Sequence, residues 1–227
     1  MLMLPFDAQG VAPPALVDRP SPSAPPRWEL VIRALDVVVA AGLILLLLPL
    51  LTLVALLVAA GDGRSPLFAQ QRLGQHGRLF ACWKFRTMVP GADRRLPTLL
   101  SGPVPPDWIE RHKLTRDPRV TPIGRLLRRT SLDELPQLAN VLLGHMSLVG
   151  ARPIVASEVA RYGRHFADYC RQRPGISGLW QVSGRSTTTY RRRLACDRLF
   201  ARRRSLALYG RILLATIPAV LLARGAC

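Results

Sequence analysis

Two apolar stretches frame the chain, and shorter patterns lie between them. Val37 to Gly61 carries no charge and is dominated by Leu, Val and Ala, long enough to cross the hydrocarbon core of a bilayer. Pro49 stands at its midpoint, where it removes a backbone hydrogen bond and predicts a bend. Arg33 and Asp36 lie one turn apart ahead of the run and form a pair placed for the membrane interface. A bent helix enters and leaves by one face, whereas a straight one spans. Spacing alone leaves these two readings even. Arg19, Arg27 and Arg33 before the run and the Arg-rich remainder behind it suit the same cytoplasmic side. The second stretch, Ile212 to Ala223, is too short to span and contains Pro218. It either lies in the interface, with Arg211 and Arg224 at the headgroups, or packs on the core.

After Gly61-Asp62-Gly63 the pattern shortens. PLFAQQRLGQHGRLFACWKFRTM reads as two short strands about Gly74-Gln-His-Gly77. Lys84 and Arg86 alternate with Phe85 and share one strand face. Residues 89–106 are rich in Pro and Gly and predict loop. Ile123 to Thr130 predicts a short basic helix, with Pro122 near its start and Arg125, Arg128 and Arg129 on it.

Leu135, Leu138, Val141 and Leu142 then supply a helical apolar face, and two registers compete for its start. Ser131 and Glu134 have the spacing of a capping box, but Pro136 would then sit inside the helix, where its N–H is needed. With Asp133 as N-cap, Pro136 falls in the first turn and the helix ends near Gly144. That register predicts Asp133 at a helix mouth, where free N–H groups and the macrodipole attract anions. Farther on, Glu158 to Arg171 predicts an amphipathic helix and Tyr190 to Arg211 a strongly basic one. RPGISGLWQVSGRS sets turn formers around Trp180 without the glycine spacing of a phosphate-binding loop.

Composition narrows the partners. The 227 residues predict one domain with appendages, and 32 Lys and Arg against 14 Asp and Glu give a formal charge of +18. That imbalance points to nucleic acid, an anionic bilayer face or phosphorylated substrates. Nucleic acid is disfavoured, because the basic residues lack interleaved aromatics and no binding fold is visible. Residues 1–27 hold seven prolines with Ala and Ser and predict a disordered tail; with no basic head and a late apolar run, they do not read as a signal peptide. Cys82, Cys170, Cys196 and Cys227 show neither C-x-x-C spacing nor clustering with histidine, which predicts a reducing compartment and no zinc site.

The segment Thr115 to Val155 holds the adjacent carboxylates Asp133 and Glu134 among six arginines. Together with KFRTM (84–88), PRVTPIGRLLRRTSLDELPQLANVLLGHMSLVGARP (118–153) and RPGISGLWQVSGRS (173–186), it resembles the bacterial sugar transferase family, the monotopic polyprenol-phosphate phosphoglycosyl transferases. The resemblance runs from about Arg27 to Ile217. It implies an α+β, mostly helical fold: a re-entrant membrane helix (28–61) bent at Pro49, followed by a compact cytoplasmic catalytic domain (62–227). That domain would carry a short β-hairpin and interfacial helices. The implied activity is transfer of a sugar 1-phosphate from a UDP-sugar to undecaprenyl phosphate, releasing UMP, as the first membrane step of exopolysaccharide or other surface-glycan assembly. The implied place is the bacterial inner membrane, on the cytoplasmic face.

The resemblance also assigns roles. Asp133 is the implied nucleophile, forming an acyl-phosphate with the sugar, and Glu134 with Asp133 is implied to hold Mg²⁺. Arg33 and Asp36 fall on the ionic anchor at the start of the membrane helix, and Arg152-Pro153 on a turn near the site. Lys84, Arg86, Arg119 and Arg152 are the candidates to clamp phosphate oxygens, Arg by bidentate contact and Lys as a point charge. Membrane lipids, further copies of the chain and downstream glycosyltransferases are the other partners such a role would bring. Four positions depart from the family pattern: Ala151 in place of Pro, His145 in place of an acid, Phe200 in place of Tyr, and Tyr209 in place of Asp. The rival reading is a non-catalytic membrane scaffold that recruits glycan-assembly enzymes, with the carboxylates serving only as a helix cap.

Overall fold

The computed structural model of the chain describes residues 26–101, 114, 117–184 and 188–221. The expected Pro-rich tail falls almost wholly outside them. The long apolar run forms one helix, α1 (Arg27–Ala60), continuous through Pro49. It is the one helix among the described residues long and apolar enough to cross a membrane, with a mean hydropathy of 3.0 in its most apolar window. Its middle is bare: Leu45, Leu46 and Leu48 are more than half exposed. Its two ends are not. Ile32 and Ala40 pack into the main core, and Val54 and Val58 pack on Phe85 and Leu127 of the same domain.

Arg33 and Asp36 depart from the expected interfacial pair, because both turn into the domain. Arg33 Nη1 and Nη2 donate to the carbonyls of Val141 and Leu142 at 2.7 and 3.0 Å, satisfying carbonyls that a helix end leaves unpaired. Asp36 is 1% exposed. Its Oδ1 accepts from Ser147 Oγ (3.0 Å), Leu148 N (2.7 Å) and Tyr209 Oη (2.6 Å). A buried carboxylate needs such donors, and the domain provides them from two separate segments. Tyr209, one of the departures from the family pattern, therefore has a defined place against α1.

The expected hairpin forms. Strands β1 (Leu67–Leu73) and β2 (Leu79–Phe85) pair antiparallel, Leu73 opposite Leu79 and Leu67 opposite Phe85. The free edge of β2 is not left open. The side-chain amide of Asn140, fully buried, donates to Ala81 O (2.7 Å) and accepts from Trp83 N (3.0 Å), as a third strand would. Residues 92–99, expected as loop, form helix α2 (Ala92–Leu99). Its helix formers tolerate Pro97 because that residue stands in the last turns. Helix α3 (Pro122–Thr130) is as expected, with Thr121 as N-cap accepting from Gly124 N at 3.0 Å. Gly124 lies directly on the backbone of Thr87, where a Cβ would stand 2.1 Å from the carbonyl oxygen.

The start of the next helix is neither register predicted from the sequence. Ser131 ends α3 in the left-handed conformation (φ 59°), and Leu132–Glu134 form a single 3₁₀ turn. Helix α4 (Gln137–Leu142) begins only after Pro136. The bonds Glu134 N to Ser131 O (3.3 Å) and Leu135 N to Leu132 O (3.2 Å) close the 3₁₀ turn, and Pro136, lacking an N–H, stops that ladder. Asp133 is therefore not an N-cap, and α4 is too short to offer an anion-binding mouth.

Two short strands went unread. Strand β3 (Ser147–Val149) pairs parallel with β4 (Gly175–Ser177). Between them, the expected continuous helix 158–171 is broken at Gly163 (φ 49°) into α5 (Val159–Tyr162) and α6 (Phe166–Cys170). After β4 come α7 (Leu179–Val182), α8 (Tyr190–Arg202) and α9 (Leu206–Leu221). The expected basic helix thus breaks at 203–205. In helix α9, Tyr209 and Ile212 are buried in the core, as the packing alternative expects, while Leu214 and Ile217 are exposed.

The Asn140 amide generates the first prediction. Asn140→Ala leaves a part-buried N–H and a part-buried C=O on β2 without their protein partner, at about 1–3 kcal/mol in all. Thermal unfolding of the detergent-solubilised variant should show a lower midpoint than the parent; an unchanged midpoint would mean that the amide does not hold the hairpin.

Candidate active site

Helix α3, riding on Thr87, delivers the chain to the 3₁₀ turn that carries Asp133 and Glu134. A non-glycine residue in the left-handed region, Ser131, stands immediately before them. Such conformations cost roughly 1 kcal/mol or more and persist where the surroundings over-determine them. The two carboxylates have different surroundings. Asp133 is 9% exposed, and among the described residues its carboxylate accepts no hydrogen bond. Burial pushes its carboxyl above its ordinary value; Lys84 opposes that rise, Glu134 adds to it, and Arg128 and Arg152 oppose it. Glu134 is the engaged partner: Lys84 Nζ donates to its Oε1 at 2.6 Å, and Arg152 Nη1 stands 3.8 Å from the same oxygen.

These contacts come from three parts of the chain. Lys84 is brought by β2, which Asn140 clamps to α4. Arg152 is brought by the turn after β3. That turn depends on a backbone crossing in which a Cβ on Gly175 would stand 2.0 Å from Gly150 N, and one on Gly178 2.3 Å from Gly150 O. Glycine is the residue that permits so close an approach. Arg72 of β1 supports the same turn, since its Nη1 donates to Pro153 O at 3.0 Å. Arg72, Lys84, Glu134 and Arg152 line one cleft. Burial and the proximity of Arg152 lower the proton affinity of Arg72, as expected where cations crowd a site.

Of the four predicted phosphate contacts, the structure brings Lys84 and Arg152 to the carboxylates and leaves Arg86 and Arg119 elsewhere. Arg86 forms a bidentate pair with Asp62 and donates through Nε to Ser65 O at 3.0 Å. Arg119 is buried in a fork on Asp117, Nε to Oδ1 at 2.9 Å and Nη2 to Oδ2 at 2.7 Å. Sequence reasoning missed Arg72 as a cleft residue. The hairpin register places Arg72 opposite Phe80, on the strand face shared by Cys82 and Lys84.

The sequence pattern that defines bacterial sugar transferases matches residues 27–223. The chain belongs to that family. It is 44% identical over 195 residues to the exopolysaccharide production protein ExoY of Sinorhizobium fredii, covering 85% of this chain and 86% of that protein. It is 39% identical to the UDP-glucose:undecaprenyl-phosphate glucose-1-phosphate transferase of Caulobacter vibrioides, over 83% of this chain and 69% of the relative. It is 44% identical to the undecaprenyl-phosphate galactose phosphotransferase of Salmonella typhimurium, over 73% of this chain but 35% of that longer protein. This sugar transferase is therefore an enzyme, and the cleft is the place to look for its chemistry.

The family implies Mg²⁺. Among the described residues no three His, Cys, Asp or Glu side chains converge on one point, so an all-protein cage is absent there. Mg²⁺ is content with one or two carboxylates, taking its other oxygens from water and substrate phosphates. Asp133 and Glu134 fit that pattern: adjacent, oxygen-bearing, and with the Asp133 carboxylate uncommitted to protein donors among the described residues.

Behind Arg72 lies a buried polar relay. Glu158 stands 3.7 Å from Arg72 and 3.5 Å from Arg193, and Arg193 stands 3.9 Å from Asp197. Tyr162 Oη donates to Asp197 Oδ2 at 2.8 Å. Burial pushes the Asp197 carboxyl up to about 6, with Arg193 and the Tyr162 hydroxyl opposing. A carboxyl that is harder to ionise folded than unfolded favours the folded state while protonated. That contribution is full below the unfolded value near 4 and is lost as pH rises through about 6. Comparing unfolding midpoints of Asp197→Asn and the parent between pH 4 and 7 should show the parent losing stability relative to the variant across that window. Parallel curves would mean that Asp197 is ionised throughout.

Proposed function

We propose that this transferase moves a sugar 1-phosphate from a UDP-sugar to undecaprenyl phosphate through a covalent aspartyl-phosphosugar intermediate, releasing UMP. It would thereby begin exopolysaccharide or other surface-glycan assembly. The observation that carries this reading is the pair of unlike carboxylates: Asp133 buried and unbonded among the described residues, Glu134 held by Lys84 and Arg152. The names of the relatives support the substrate classes.

In this reading the chemistry is a double displacement at phosphorus, beside a cleft that Glu134 lines and Asp133 adjoins in sequence. A carboxylate oxygen of Asp133 attacks the phosphorus that bears the sugar. The bond from that phosphorus to the bridging oxygen breaks, and its electron pair leaves with UMP. A phosphate oxygen of the lipid then attacks the same phosphorus, the bond to Asp133 breaks, and the carboxylate is regenerated. Both substrates can thus use one site in turn. Phosphoryl transfer asks the protein for position and charge neutralisation. Arg72, Lys84 and Arg152 provide the positive charge that lets an anionic nucleophile approach a diphosphate. When bound, Mg²⁺ held by Glu134 and Asp133 supplies further neutralisation at the diphosphate oxygens.

The membrane arrangement is part of the proposal. Residues 45–49, between the docked stretches of α1, extend about 7.5 Å at helical rise. A hydrocarbon core is about 30 Å thick. A helix with both ends seated on one cytoplasmic domain cannot also place one end across the bilayer, which supports re-entry by the cytoplasmic face of the inner membrane. The exposed leucines of its middle then meet lipid instead of water. In intact cells a membrane-impermeant thiol reagent should label neither Arg27→Cys nor Arg64→Cys, and in inverted vesicles it should label both. External labelling of Arg27→Cys alone would make α1 a spanning helix.

The catalytic reading is tested by UMP release from a panel of UDP-sugars, with and without undecaprenyl phosphate and Mg²⁺. Release should require lipid, metal and one preferred sugar. Asp133→Asn should lower turnover by more than about 10³-fold, since an amide is no nucleophile of this kind, while the protein remains folded and membrane-bound. Retained turnover would remove the covalent role and favour the scaffold reading.

A further inference from the structure

The cleft has polar groups that the phosphate chemistry leaves unused. Gln137 stands one helical turn beyond Glu134, at the start of α4. It lines the cleft, is 2% exposed, and among the described residues its side-chain amide makes no hydrogen bond. Gln181 of α7 lines the same cleft. Its Nε2 donates to Ile176 O at 2.9 Å, while its Oε1 is buried with no donor. Gly178 permits this placement, because a Cβ there would stand 2.8 Å from that oxygen. Buried amides are ordinarily matched, and unmatched ones mark a place for a missing partner.

We propose that Gln137 and Gln181 form a hydroxyl-binding subsite for a sugar ring esterified to the diphosphate. The inference rests on the transferase reading of the cleft and adds the groups that hold the sugar. The chemistry selects the ligand. Gln181 Oε1 is an acceptor and needs a donor; ionised phosphate oxygens only accept, and a polyprenyl chain does neither. A hydroxyl both donates and accepts, which matches a primary amide. Position selects the part of the substrate. Side chains three apart on a helical turn are neighbours, about 5–6 Å between Cβ atoms, so Gln137 is adjacent to the diphosphate that Glu134, Lys84 and Arg152 surround. The groups directly attached to a nucleotide-sugar diphosphate are the transferred hexose on one side and the ribose on the other. The base is one ring farther away.

The test uses the full-length protein in a membrane mimetic, with undecaprenyl phosphate, Mg²⁺ and UMP release as readout. Donors are the preferred UDP-hexose, its single-deoxy hexose analogues, and the analogue built on 2′-deoxyuridine. The parent should lose about 10–100-fold in kcat/KM on the donor that lacks the recognised hydroxyl. Gln181→Met and Gln137→Met should lose a similar factor on the complete donor, mainly through KM, and then treat complete and deoxy donors nearly alike. Sensitivity to a hexose hydroxyl assigns the subsite to the transferred sugar, and sensitivity to the ribose hydroxyl assigns it to the nucleoside; either supports the subsite. A parent that turns over every deoxy donor as well as the complete one overturns it while leaving the transferase reading intact. So do Met variants that lose the same factor on all donors. A parent that releases UMP from no donor overturns the transferase reading itself, and the subsite with it.

Discussion

The structure turns on one side-chain amide. Asn140 closes the open edge of β2 with two hydrogen bonds to residues nearly sixty positions away in sequence. The consequence is geometric: α4 and β2 become a single unit, and Lys84 is carried against Glu134. A two-stranded hairpin by itself is marginal in water. This one is buried by α1 and α3 on the Phe85 side and by the main core on the Phe80 side, and the amide sets its register against the dyad. Removing the carboxylates would leave this scaffold standing; removing the amide would loosen the strand that holds Lys84 on Glu134.

The large positive charge divides into two populations. Some arginines are structural and already engaged: Arg86 is paired with Asp62, Arg119 with Asp117, and Arg33 is bonded to helix-end carbonyls. Others crowd one cleft with few acids to answer them. Lys84 and Arg152 share Glu134, and Arg72 beside them faces Glu158. Desolvated like charges repel, as the lowered proton affinity of Arg72 records. A fold tolerates this where an anionic ligand relieves it. The formal charge of +18 is thus divided between arginines with partners of their own and a cleft in which cations outnumber acids.

Much of this was legible in the chain. The uncharged run announced α1, the Gly74–Gly77 turn announced the hairpin, and Pro122 after Thr121 announced α3, because each depends on local periodicity or local stereochemistry. The misses share a cause. Strands β3 and β4 are three residues each, and they exist because Gly150 and Gly175 cross in contact, a pairing made over 25 positions that no local pattern expresses. Asp133 was placed at a helix cap because Pro136 argued for an early start; the intervening 3₁₀ turn and the left-handed Ser131 belong to a strained junction that propensities do not foresee. Arg86 and Arg119 were grouped with Lys84 by sequence proximity to basic motifs, but each has an acid of its own nearby. Counting the hairpin register outward from Gly74–Gly77 would have put Arg72 on the face of Lys84, so that signal was present and unread.

The inward turn of Arg33 and Asp36 ties the membrane to the cleft. Arg33 holds the last carbonyls of α4, whose first residue, Gln137, is three positions from Glu134. Asp36 holds the backbone N–H of Leu148 in β3, and four residues later the chain reaches Arg152. One turn of α1 therefore grips both walls of the site, the helix that follows the carboxylates and the strand that leads to the arginine. A carboxylate buried to that degree is costly without donors, and Ser147, Leu148 and Tyr209 all donate to its Oδ1. The long apolar helix thus braces the cleft from behind, through α4 on one side and β3 on the other, without lining it.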